Sequence, residues 1–187
     1  TSHLDTLERT ITAVEQYIAA QFPEYRVYRA FTSGMILRKL KRKENLTFDN
    51  VEEALERMAA DGIETAVIQP THVINGIEND RMLEAAEAYR DRFETMQIGA
   101  PLLSTAEDYK KAVHAVMAEV DPAEDETLIL MGHGTDHHAN SAYPTLEYTF
   151  HLLGYRQVLV GTVEGFPNLQ NVQTKLEITG CKKVVLM

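Results

Sequence analysis

The sequence predicts an α/β protein with parallel sheets. Segments with helical periodicity alternate with short apolar segments along the whole chain. The apolar segments are continuous runs of Val, Ile and Leu, such as 128–131 and 158–160, which is typical of strands covered by helices on both faces. Two of the predicted strands open with the same pair, Glu-Thr, and each leads within a few residues to a histidine. This similarity points to two related halves.

The predicted helices have apolar residues at spacings of three and four, and capping residues, proline or glycine mark their ends. In the first helix this spacing extends from Leu4 to Phe22, and Pro23 ends it. The helices are predicted at 4–22, 35–43, 51–61, 80–94, 105–120, 141–153 and 168–179.

The predicted strands are short and rich in aliphatic or aromatic residues. They lie at 25–31, 66–68, 96–100, 128–131, 158–160 and 184–186. An acidic stretch with a proline, 121–126, is the best linker candidate. We therefore expect an N-terminal α/β lobe over residues 1–122 and a C-terminal α/β lobe over residues 123–187.

The order of the elements indicates a sequence truncated at both ends. The chain begins with a helix and ends with a strand, although each parallel strand needs a crossover to its neighbour. We expect the N-terminal lobe to lack its first strand and the C-terminal lobe to be incomplete.

Composition excludes several function classes. The 187 residues carry 18 Lys and Arg against 28 Asp and Glu, and a net charge of −10 argues against nucleic acid as a partner. No apolar run is long enough to span a membrane. Glycine fingerprints for nucleotides and the Gly-x-Ser-x-Gly hydrolase elbow are absent from the sequence.

The single Cys cannot form an internal disulfide. It fits a reducing compartment, so we expect a cytoplasmic protein, or a periplasmic one if a signal peptide precedes Thr1.

Three loops follow predicted strands, where ligands bind in open α/β sheets. They are 71–78, 132–138 and 161–165. In the second loop two glycines flank His133, which frees the backbone to present the imidazole, and Glu164 follows the next strand. Nitrogen and oxygen donors without sulfur suit cobalt, nickel, zinc or iron. The alternatives are a loop histidine that packs or caps, and a solvated acid or helix cap.

Other residues near the strand ends are weaker candidates. His72 and Glu78 share the first loop and could form a second wall of the same site, although His72 fits a structural role better. His137 and His138 are adjacent, so we expect their side chains to point apart.

One segment is basic despite the acidic total. Residues 26–43 contain seven Lys or Arg and no acid. The default interpretation is a solvated helix face. The sharper one is that Arg29 and Ser33, near the end of a strand and the start of a helix, help to hold ligand carboxylates.

Four separated motifs together resemble the anaerobic sirohydrochlorin cobalt chelatases, which belong to the class II chelatase family. The motifs are 29–36, 72–78, 131–140 and 160–167. The resemblance implies two similar flavodoxin-like lobes with a cleft that receives a planar tetrapyrrole. It also implies that His133 is a metal ligand and base, that Glu164 is a metal ligand with a catalytic role, and that Glu78 lies near the metal. A second family histidine is expected beyond Met187.

The resemblance further implies the reaction and its partners. We expect insertion of Co²⁺ into sirohydrochlorin in anaerobic cobalamin biosynthesis, with cobalt as the substrate metal and no nucleotide or organic cofactor. Candidate substrate contacts are Ser33, Arg29, His72 and Thr135. Iron or nickel insertion into the same tetrapyrrole and a non-catalytic tetrapyrrole or metal carrier remain alternatives. A homo-oligomer is possible.

Overall fold

The computed structural model describes residues 3–123 and 125–187. The helices are α1 (Leu4–Leu7), α2 (Ala13–Gln21), α3 (Gly34–Glu44), α4 (Val51–Ala60), α5 (Ile77–Ala88), α6 (Ala106–Val120), α7 (Ala142–Leu152) and α8 (Leu169–Thr179). A π-helical segment (Glu8–Thr12) joins α1 to α2, and 3-10 turns lie at Arg90–Arg92 and His138–Ser141. The strands are β1 (Ala30–Phe31), β2 (Asp49–Asn50), β3 (Thr65–Ile68), β4 (Thr95–Ile98), β5 (Glu126–Gly132), β6 (Val158–Thr162) and β7 (Lys183–Leu186). The predicted α/β class is confirmed.

The first of two compact units comprises Thr1–Ile68 and Asp80–Ile98. It contains two parallel strand pairs, β1 with β2 and β3 with β4. Helices α4 and α5 pack on the second pair through a buried cluster that includes Leu55, Ala66 and Met82. A capping box at Asn50 starts α4 where the sequence predicts it.

The second unit comprises Gln69–Asn79 and Gly99–Met187 and contains a parallel sheet in the order β6-β5-β7. On one face, α6 and α7 cover the sheet through Val113, Leu128, Phe150 and Val158. On the other face, α8 packs through Val172 against Ile129 of β5 and Leu159 of β6. The continuous apolar strands are therefore covered by helices on both faces, as the sequence predicts.

The outer edge of β6 is closed by groups of α7. Glu147 accepts a hydrogen bond from the amide of Val160 at 2.8 Å, and its carboxylate also contacts the ammonium of Lys175 on α8. One turn later, Nε2 of His151 lies 2.8 Å from the carbonyl oxygen of Val158. These side chains therefore bond edge groups of β6 that a further strand would otherwise pair with.

The first predicted strand was wrong over residues 25–29, since only Ala30–Phe31 form a ladder, with Asp49–Asn50. Arg26 and Tyr28 instead direct their side chains to the carboxylate of Asp61, at 2.8 and 2.7 Å. Residues 25–29 therefore lie outside the strand pairing that the sequence predicts.

Helix α6 belongs to the second compact unit, because Val113 and its neighbours pack against β5 and α7. The lobe boundary expected between residues 122 and 123 stays a prediction, as do the similarity of the lobes and the cleft. No helix in the described part of the chain combines the length and apolar character needed to cross a membrane.

Candidate metal-binding site

The loops after β5 and β6 bring His133 and Glu164 together. The two strands are parallel neighbours, so their carboxyl ends lie at the same edge of the sheet. The ladder continues beyond them, since the amide of Glu164 donates to the carbonyl oxygen of His133 at 2.8 Å. As a result, Nε2 of His133 lies 3.5 Å from Oε2 of Glu164. The sequence predicted both residues as one site, and the structure places them side by side.

The distance between these two atoms fits shared metal coordination. Two ligands at about 2.1 Å from one ion and at the tetrahedral angle lie about 3.4 Å apart. The side chains of His133 and Glu164 are 77% and 67% exposed, so both are open to a ligand from solvent. An imidazole nitrogen and a carboxylate oxygen form a donor set for a borderline divalent ion.

Glycines make the close approach of the two loops possible. Gly134 has φ +83°, and a Cβ there would lie 2.4 Å from the backbone nitrogen of Gly165. A Cβ on Gly132 would lie 2.2 Å from the ring of Tyr143. The glycines flanking His133 therefore serve to let the ring of Tyr143 and the backbone of the Glu164 loop approach.

Two residues that the sequence prediction missed hold these loops. The amide of Asn140 donates to the carbonyl oxygen of Phe166 at 2.6 Å and accepts from the amide of Thr135 at 3.2 Å. The hydroxyl of Tyr143 accepts a hydrogen bond from the amide of Gly134 at 3.3 Å. Asn140 ends the motif 131–140. Residue type and position alone do not reveal its contact 26 residues away.

The turn that carries Glu164 has its own internal bonds. The amide and the hydroxyl of Thr162 both donate to the carbonyl oxygen of Pro167, at 2.7 and 2.9 Å. The amide of Gly165 donates to the same hydroxyl at 3.1 Å. Thr162 is fully buried, so it anchors the turn while Glu164 faces solvent.

The other residues of this unit that the sequence predicts near the site lie in the loop after β5, in the loop before α5 and at the start of α5. Thr135 follows His133 closely, and its hydroxyl accepts from the amide of His137. His72 lies in the loop before α5, where its carbonyl oxygen accepts from the amide of Leu102, and Glu78 lies in the first turn of α5. The expectation that His137 and His138 point apart was wrong, because their ring centroids are 3.9 Å apart.

The expected third metal ligand does not join the pair in a recognised cluster. Over residues 3–123 and 125–187, no group of three or more His, Cys, Asp or Glu side chains is arranged to hold a metal ion. The assignment of Glu78 as a ligand therefore stays a prediction.

The two candidates for substrate carboxylates lie in the first unit. Arg29 contacts the carboxylate of Glu15, donates to the hydroxyl of Thr12 at 3.1 Å and lies over the ring of Phe48. Its guanidinium thus already has an acidic partner. Ser33 precedes α3 with extended backbone, and its hydroxyl makes no capping bond to the helix. Their role in substrate binding stays a prediction.

The amino-acid sequence of this chain is similar to those of known proteins. The family model described as cobalt chelatase (CbiK) matches residues 1–187. A sirohydrochlorin cobaltochelatase of Salmonella typhimurium is 35% identical over 188 aligned residues, which cover 100% of this chain and 71% of the relative. The sirohydrochlorin cobaltochelatase CbiKC of Nitratidesulfovibrio vulgaris is 32% identical over 184, which cover 96% of this chain and 64% of the relative. With a family match over its whole length and His133 beside Glu164, the chain belongs to the cobalt chelatase (CbiK) family.

Proposed function

We propose that this chain inserts Co²⁺ into sirohydrochlorin in anaerobic cobalamin biosynthesis. The observation that carries the proposal is the exposed His133–Glu164 pair at adjacent strand ends, in a chain that matches the cobalt chelatase family throughout. Both relatives described above are named for this activity. Their names favour cobalt over iron or nickel, and an enzyme over a carrier.

The chemistry of insertion fits this pair. Two pyrrole N–H protons leave the macrocycle while Co²⁺ forms bonds to the nitrogens, so the overall reaction releases two protons. A neutral imidazole at His133 donates a lone pair to the metal or accepts one of the protons. The carboxylate of Glu164 adds negative charge that attracts the cation and passes a proton to solvent.

The other candidate residues complete the proposal. Glu78 contributes a further oxygen to the metal, while His72 and Thr135 contact the macrocycle. Arg29 and Ser33, with the basic segment 26–43, attract the substrate's carboxylates. We place the reaction in the cytoplasm, and a homo-oligomer is compatible with it.

The test is cobalt insertion by the full-length protein, followed by the change in sirohydrochlorin absorbance. We expect His133→Ala to lower the rate by about 10²-fold or more, as for loss of a group that handles protons. Because the His133 side chain is largely exposed, its replacement should leave the unfolding midpoint unchanged. An unchanged rate would refute the assignment. Parallel reactions with Fe²⁺ and Ni²⁺ test the metal, and faster insertion of either would replace cobalt in the proposal.

A further inference from the structure

We propose that Asn140 is a positioning residue that sets the separation between the His133 loop and the Glu164 loop and thereby the affinity for the divalent metal. The inference rests on the proposed function in that it takes this pair as the metal's protein ligands. It concerns a residue that touches neither the metal pair nor the macrocycle in the proposal above.

The contacts of Asn140 join the two loops through one amide group. Its Nδ2 donates to the carbonyl oxygen of Phe166 at 2.6 Å, and its Oδ1 accepts from the amide of Thr135 at 3.2 Å. A Cβ built on Gly165 would lie 2.2 Å from Oδ1, so the amide lies directly against the backbone of the second loop. Asn140 therefore contacts both loops at once.

The two residues that Asn140 bonds lie at the same distance along the sequence from the two proposed metal ligands, His133 and Glu164. Thr135 lies two residues after His133, and Phe166 lies two residues after Glu164. Both side chains of the pair are largely exposed, so neighbouring side chains do not fix them by burial. Their separation depends on the backbone of the loops, which the Asn140 amide links on one side.

An asparagine suits this position because its amide carries both a donor and an acceptor. Aspartate of the same size keeps an acceptor for the amide of Thr135, but it has no donor for the carbonyl oxygen of Phe166. Two oxygens would then face each other at the Phe166 side and repel. Alanine removes both bonds, and in either variant we expect the loops to move apart.

The experiment measures binding of Co²⁺ alone to the full-length protein by competition with a coloured chelator. We expect Asn140→Ala and Asn140→Asp each to weaken binding by about tenfold, the low end of the range for residues that orient metal ligands. In the insertion assay, KM for cobalt should rise by the same factor while kcat changes less than about threefold. The visible absorption of bound Co²⁺ should also change.

The matched control is Thr105→Ala. Thr105 caps α6 in the same unit, and its hydroxyl accepts from the amide of Asp108 and donates to the carboxylate of Asp108. Its replacement should also lower stability, but these bonds lie within α6 and not in the metal-binding loops. We expect its cobalt affinity and spectrum to equal those of the wild type. Asn140→Asp has nearly the native size, so it decides the question if Asn140→Ala does not fold.

The outcomes separate this inference from the proposed function. If His133→Ala loses Co²⁺ while both Asn140 variants bind it within about twofold of the wild type, the positioning role is overturned and the proposed function stands. If His133→Ala binds Co²⁺ as the wild type does, the proposed function and this inference are both overturned.

Discussion

Replacing Gly134 with alanine should disrupt the candidate site more than it disrupts the fold. The residue has φ +83°, a conformation that costs a residue with a Cβ about 1–2 kcal/mol. The added Cβ would also lie 2.4 Å from the backbone nitrogen of Gly165, whereas non-bonded heavy atoms prefer roughly 3.5 Å. Because the neighbour is backbone, we expect the two loops to separate by about 1 Å.

The separation should act on the pair that lies beside these glycines. The nitrogen of His133 and the oxygen of Glu164 are 3.5 Å apart, close to the edge of a tetrahedral metal site. A displacement of about 1 Å in a reacting group lowers catalysis by about 10²-fold. We therefore expect Gly134→Ala to reduce cobalt insertion by about that factor, measured with sirohydrochlorin and the full-length protein.

Gly154→Ala is the matched control. Gly154 also has positive φ, +97°, but a Cβ there would meet no atom within 4 Å. It should therefore show the backbone strain alone, about 1–2 kcal/mol in urea unfolding, with cobalt insertion unchanged. The reasoning is refuted if both variants insert cobalt at the same rate, or if Gly134→Ala stays within about twofold of the wild type.

Two further predictions concern stability. Glu147→Ala should lower the free energy of unfolding by about 3 kcal/mol in urea titration, because it leaves the buried amide of Val160 and the ammonium of Lys175 without their acceptor. Glu147→Gln keeps an acceptor for the amide, so it should lower the free energy of unfolding by less. An equal loss of stability in the two variants would contradict this account. Hydrogen bonds from the hydroxyl and the amide of Thr105 lower the pKa of Asp108, so its contribution to stability is complete above the ordinary carboxyl range and is lost as pH falls through the lowered value. Asp108→Asn should therefore show a smaller fall in thermal midpoint between pH 5 and pH 2 than the wild type, and an identical fall would contradict the assignment.

The sequence predicted the parts of the site that depend on the sheet. Apolar runs at 128–131 and 158–160 identify neighbouring parallel strands, and residues after such strands share one edge. Composition of the loops then pointed to His133 and Glu164. Their proximity follows from strand register, a local and periodic property that single-sequence patterns contain.

The parts that the sequence did not predict depend on contacts between distant segments. The short β2 strand, Asp49–Asn50, is polar and pairs only two residues, so no apolar pattern marks it. Asn140 resembles any polar residue before a helix until its bond to Phe166 is seen. The two glycines around His133 were interpreted as freeing the imidazole, whereas the structure shows that they admit Tyr143 and Gly165.

The arrangement of the pair matters for what happens after metal binding. A metal that is substrate must leave its protein ligands, so donors buried on every side would hold it too long for transfer. His133 and Glu164 are exposed, and their separation is set by backbone pairing between the two loops together with the Asn140 amide that links the same loops. Under the proposed function, this lets the pair offer a defined nitrogen and oxygen to Co²⁺ while the rest of the coordination sphere stays open to water and then to pyrrole nitrogens. The geometry of such a site depends on the residues that hold the loops together. Variants of Gly134 and Asn140 should therefore lower the efficiency of metal transfer by about 10–100-fold, as variants of residues that hydrogen-bond to metal ligands do in other sites.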